Sequence, residues 1–173
     1  MNSNIKLNIK AIIFFLVFCM KGQYSIGQDV KIEQYETSEY IVFYDKEWTL
    51  VKGNNLVELK ILNQAGGLQY NLVIEEGLEE VNNNITIYAI ASINNLNKII
   101  SDFELIDALQ VDRDDAVIIA YKGIAGNKLS TFLQYYIVTN NKAYILTSRY
   151  DNEIDLTKLK KLAKLMPYVF DVK

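Results

Sequence analysis

The polar residues 28–38 show no period and predict a short loop. From Glu39 the chain turns strand-like. Tyr40-Ile41-Val42-Phe43-Tyr44 is a dense β-branched and aromatic run, and Trp48-Thr49-Leu50-Val51 follows a charged Asp45-Lys46-Glu47 turn. Gly53-Asn54-Asn55 reads as a turn. Val57, Leu59 and Ile61 then alternate with Glu58 and Lys60, the period of two that leaves one strand face wet. Ala65-Gly66-Gly67 closes this hairpin, and residues 68–74 form the next strand.

At that point the period lengthens. Asn82-Asn83-Asn84 offers capping side chains for a helix start. Ile85, Ala89, Ile93, Leu96 and Ile100 step by three and four, with Tyr88 and Ile99 beside them, which predicts a helix over about 85–100. Strand signals return over 103–111 and 116–121. Gly123-Ile124-Ala125-Gly126-Asn127 predicts a loose turn. Residues 129–139 and 142–150 flank Asn140-Asn141, the clearest hairpin in the chain. A closing helix begins at the cap Asp155, with Leu156, Leu159, Leu162, Ala163 and Met166 on one face. Lys158, Lys160, Lys161 and Lys164 hold its wet side. Pro167, the only proline, is expected to stop it, and Tyr168-Val169-Phe170 to add a last strand. Helices that do not alternate with strands predict an α+β fold with an antiparallel sheet.

The N-terminus carries a different pattern. Lys6 and Lys10 precede an uncharged apolar run, residues 11–20, too short for a spanning helix and suited to the core of a secretory signal peptide. Ser25 and Gly27 have the spacing that signal peptidase reads. This predicts a signal peptide over 1–27, a short loop over 28–38 and a single domain over 39–173. Leu16-Val17-Phe18-Cys19 also resembles a lipobox, although Phe18 is large where a small residue is usual. Lipidation at Cys19 is therefore the competing expectation, and an uncleaved anchor is a third.

Charge and composition then narrow the chemistry. The full chain has 18 basic and 21 acidic residues; without residues 1–27, which hold three lysines and no acid, the balance is 15 against 21, a formal −6. Such a domain is poorly suited to nucleic acid or an anionic membrane surface. Histidine is absent, and the only cysteine leaves with the signal. Ser/His/Asp and Cys/His machinery are thereby excluded, as are thiolate or imidazole metal ligands. No catalytic, metal or cofactor residue is expected. The remaining 146 residues must be held by their core, which is feasible at that length.

Each local cluster has a structural reading beside the chemical one. Asp112-Arg113-Asp114-Asp115 has carboxylates for calcium but lacks the ligand spacing and glycine of a calcium loop, so it reads as a solvated turn. Glu75-Glu76 and Glu79-Glu80 read as charge leading into the helix. The stretch 123–128 only faintly echoes a phosphate loop. Asn84-Ile85-Thr86 matches a glycosylation acceptor and sits at the predicted helix start. Tyr135 and Tyr136 must point to opposite faces of one strand. One is expected in the core; the other, with Tyr121 or Tyr144, could form an aromatic platform for a partner, against the alternative of aromatic pairing under a helix.

Three stretches carry a family likeness: residues 40–44 leading to Trp48, the hairpin 128–150 with Gln134-Tyr135-Tyr136 and Tyr144-Ile145-Leu146-Thr147-Ser148, and the closing helix 155–166 followed by Phe170. Over most of 39–172 the chain resembles the PsbP-like family, an α/β/α sandwich shared by photosystem II lumenal subunits, nuclear-transport adaptors and small exported bacterial proteins. Asp45-Lys46-Glu47 stand where such proteins usually carry a proline and a glycine. The resemblance implies a non-enzymatic accessory, adaptor or chaperone-like role. The expected function is an exported, non-catalytic binding module of the bacterial cell envelope, with another envelope protein as partner and no membrane insertion after cleavage. The alternatives are a carboxylate-dependent hydrolase of an envelope or extracellular polymer and a lipid-anchored structural protein.

Overall fold

The computed structural model describes residues 31–54, 57–64, 68–79, 83–151 and 154–173. The expected signal peptide over 1–27 with its expected cleavage site, Cys19 and the expected Ala65-Gly66-Gly67 turn lie outside these residues. Among the described residues ten strands and three helical segments follow in order: β1 (Ile32–Glu36), β2 (Tyr40–Asp45), β3 (Thr49–Asn54), β4 (Val57–Leu62), β5 (Leu68–Glu76), α1 (Ile85–Ile99), β6 (Ser101–Gln110), β7 (Ala116–Ala125), β8 (Lys128–Thr139), β9 (Lys142–Tyr150), α2 (Leu156–Ala163), α3 (Met166–Val169) and β10 (Phe170–Val172).

Seven strands form one antiparallel sheet in the order β3-β4-β5-β9-β8-β7-β6. The hairpin β8–β9 sits near its centre, and its turn residues Asn140 and Asn141 both adopt positive φ, at 54° and 58°. That is the geometry a two-residue turn needs to match strand twist. The crossover from β5 to β6 spans the sheet, and α1 rides on it. Asn84 caps α1 by accepting hydrogen bonds from the amides of Thr86 and Ile87, so the glycosylation-like triplet has a local structural use.

The two sheet faces are covered differently; both are dry over the central strands, while Glu58 and Lys60 of β4 stay exposed. On one side, α1 lays Tyr88 with Ile85, Ala89, Ile93, Leu96 and Ile100 over Ile119, Tyr121, Phe132, Tyr136, Val138 and Ile145. On the other, Leu59, Ile61, Leu72, Ile118, Leu133, Tyr135, Ile137 and Leu146 pack against Tyr40, Val42, Trp48, Leu159, Leu162, Met166 and Phe170. The fold is α+β as expected, but richer in sheet than a helix-flanked sandwich. Much of the second cover is a three-stranded sheet, β1-β2-β10.

Several local expectations are corrected. The loop at 28–38 contains β1, which pairs with β2 from Ile32↔Asp45 to Glu36↔Ile41. The loose turn at 123–127 contracts to Gly126-Asn127, with Gly126 at φ 67°. Gly123 belongs to β7, and a Cβ there would lie 2.1 Å from the Ile100 side chain, so its smallness lets the end of α1 close on the sheet. Gly53 and Asn54 extend β3 instead of forming a turn. Trp48 lies in the turn before β3, where its amide donates to the Asp45 carbonyl at 2.9 Å. Pro167 does not stop α2, which ends at Ala163; it sits in the first turn of α3, where a missing N–H costs nothing. Tyr168 and Val169 are in that helical turn, so the last strand starts at Phe170. Ile99 and Leu156 point outward, 74% and 49% exposed.

Candidate functional site

The aromatic platform does not form. Tyr121, Tyr135, Tyr136 and Tyr144 are all buried. Tyr135 and Tyr136 do face opposite ways, but each face has its own cover. Tyr121 stacks on Phe132 with centroids 4.9 Å apart, and Tyr136 meets Tyr88 edge-on at 5.7 Å. Tyr144 packs on Tyr40 and Phe170, its hydroxyl donating to Glu39 at 3.2 Å. Burial pushes the Tyr135 phenol up to about 12.

From the acidic stretches the fold pairs Asp115, Glu75 and Glu76, while Asp112 and Asp114 stay exposed to solvent. Arg113 holds Asp115 through two hydrogen bonds of 2.8 Å and also donates to Asp171 of β10. The bonded guanidinium keeps the Asp115 carboxyl below its ordinary value. Asp115 thereby fastens the β6–β7 turn, and its carbonyl accepts from the Val138 amide at 2.9 Å. Glu75 accepts from the Tyr88 hydroxyl at 2.6 Å. Glu76 and Glu39 both meet the Lys142 ammonium at 2.9 Å, and the hydrogen bond from Lys142 lowers the Glu39 carboxyl. No group of three or more acids placed to hold a metal occurs among the described residues.

What the fold does assemble is a groove of about 640 Å³ between the end of β6 and the α2–α3 corner. Leu109, Val111, Ile118, Ala163 and Pro167 contribute its apolar surface. Gln110, Asp112 and Arg113 stand on the strand side, with Lys160, Lys164 and Tyr168 on the helix side. Leu109 and Val111 are half-buried and Tyr168 is 39% exposed, so an occupant would meet both aliphatic and aromatic carbon. Lys160 reaches Asp107 at only 3.8 Å, and no acid among the described residues pairs with Lys164. The rim is therefore mixed in charge: Asp112 lines it with the two lysines, of which only Lys164 has no paired acid among the described residues.

In the sequence these two walls read as a solvated turn and the wet face of a helix. The helical half was divided among separate readings: Lys160 and Lys164 on the wet face of a helix, Ala163 on its apolar face, Pro167 at its end and Tyr168 in a strand. The strand half lies some fifty residues away, and no short-range pattern joins the two.

Element order, the seven-stranded antiparallel sheet and the β1-β2-β10 cover define the class: this chain has the PsbP-like fold. It is similar to the solution structure of cyanobacterial PsbP (CyanoP) from Synechocystis sp. PCC 6803, with a TM-score of 0.59 and 16% identity over 88% of this chain and 98% of that one. It is also similar to the crystal structure of the Saccharomyces cerevisiae Ran-binding protein Mog1p, with a TM-score of 0.57 and 8% identity over 83% of this chain and 96% of that one. No protein-family model and no curated protein matches the sequence. At these identities the likeness is one of fold.

Proposed function

We propose that this chain is an exported, non-catalytic accessory module of the bacterial cell envelope that docks a partner protein over the β6/α2–α3 groove. The observation that carries the reading is the groove itself: an apolar floor beside Tyr168, 39% exposed, and beside Lys164, which pairs with no acid among the described residues. An apolar centre with a polar rim is how protein interfaces are built. The absence of histidine, and of cysteine after Cys19, points the same way, because it removes the usual nucleophile–base pairs. Mog1p, a Ran-binding protein, supplies a precedent for binding by this fold. Export rests on residues 1–27.

Affinity capture from native envelope with the wild-type protein and with Lys164→Glu/Tyr168→Ala tests the proposal. A partner recovered by the wild type and lost with the double variant, at unchanged melting temperature, is the expected outcome. Equal recovery by both would remove the groove from the reading. Intact mass of the natural protein checks export: a start at Gln28 supports cleavage after Gly27, whereas a diacylglycerol adduct at Cys19 would show a lipid anchor.

A further inference from the structure

We infer that the groove takes an extended acidic segment of a partner polypeptide, added as an extra strand along the outer edge of β6. This rests on the reading of the groove as a partner site and specifies what enters it.

β6 is the last strand of the seven-stranded sheet, so one of its edges pairs with no strand among the described residues. Its pairing with β7 is irregular between Ser101 and Glu104 and again between Leu105 and Asp107, then runs without a break from Asp107 to Gln110. Bulges of this kind blunt an exposed edge against unwanted pairing. The protected half is away from the groove; the regular half ends in it. Leu109, Gln110 and Val111 all line the groove although they are consecutive. Successive strand side chains point to opposite faces, so a space lined by all three meets the edge of the strand.

The opposite wall matches an extended occupant in spacing as well as charge. Lys160 and Lys164 lie about one helical turn apart, a rise of about 6 Å. Alternate side chains of an extended chain repeat every ~6.8 Å. Carboxylates at positions i and i+2 of an added strand would therefore meet both lysines. Lys164, which pairs with no acid among the described residues, would favour a carboxylate here and help to fix its register. Main-chain hydrogen bonds to the β6 edge would supply affinity, and an apolar side chain at i+4, on the same face as the two carboxylates, would rest on Leu109, Val111 and Tyr168.

Two-dimensional NMR of the ¹⁵N-labelled protein, titrated with an eight-residue peptide that carries Glu, Glu, Leu and Tyr at alternate positions with Thr between them, tests this directly. The expected result is shifts confined to residues 107–113 and 160–168. Affinity should fall about tenfold in Lys160→Gln/Lys164→Gln and should be lost when alternate peptide amides are N-methylated. Shifts elsewhere, equal binding of the Lys-for-Glu peptide, or equal binding of the N-methylated peptide would overturn the inference. So would complete competition by free glutamate, which would mark a small-anion site, or peptide-independent pairing of two copies through β6. An envelope partner lost with Lys164→Glu/Tyr168→Ala yet not displaced by the peptide would sink the acidic-strand inference and leave the accessory function standing.

Discussion

Tyr88 and Tyr136 meet edge-on, 5.7 Å between ring centroids, and this pair pins α1 to the centre of the large sheet. The Tyr88 hydroxyl bonds Glu75 on β5, while the Tyr136 hydroxyl donates to Gln134. Edge-to-face pairs contribute about 0.5–1.5 kcal/mol beyond their buried area. A double-mutant cycle of Tyr88→Ala and Tyr136→Ala in urea should therefore show a coupling of that size. Strict additivity would mean that the rings act independently.

Trp48 is buried against Tyr70, with centroids 6.1 Å apart. Trp48→Ala should destabilise by about 3–5 kcal/mol, the usual cost of truncating a buried large aromatic. Chemical denaturation followed by circular dichroism reads this directly. A change below 1 kcal/mol would mean that the site collapses around the smaller side chain.

The Arg113–Asp115 pair gives the stability a direction in pH. Because the Asp115 carboxyl is lowered in the folded state, its contribution is present above its unfolded value, near 3.9, and is lost as pH falls through the lower folded value. Carbon-detected NMR should find Asp115 titrating below the ordinary aspartate value. Arg113→Ala should bring it back up and flatten the acid limb of the stability curve. An unmoved Asp115 titration in that variant would disprove the pairing.

The β8–β9 turn offers a backbone test. Asn140, at φ 54°, tolerates the left-handed region that most L-residues enter at a cost of about 1–2 kcal/mol. Asn140→Val should lower stability by that order, while Asn140→Gly should stay within about 0.5 kcal/mol of wild type. Equal losses in both would place the turn's contribution in the asparagine side chain.

Much of this fold was legible because its strands alternate and its turns carry Asn and Gly. The hairpin across Asn140-Asn141 and the helix capped by Asn84 are local patterns, and the structure contains both. β1 was missed for the opposite reason. Ile32-Glu33-Gln34-Tyr35-Glu36 has little apolar signal, and its strand state comes from pairing with β2. Pro167 misled because a proline suits the first turn of a new helix as well as the end of an old one. The tyrosines misled because period two reveals two faces but not that both are covered. The groove was invisible because Leu109 to Arg113 and Lys160 to Tyr168 become neighbours only through the sheet.

Phe170 has no exposed surface and rests against Tyr40, its ring 5.8 Å away. About 130 residues separate these two, and β10 reaches β2 only when that whole span has been made. A chain released from one end therefore cannot seal its larger core early: the first aromatic strand stays uncovered until Phe170 arrives. Such long-range closure slows folding and lengthens the time for which sticky intermediates persist. For a chain made from its N-terminus, that delay leaves the closing contact between β2 and β10 unformed until nearly all of this span has emerged.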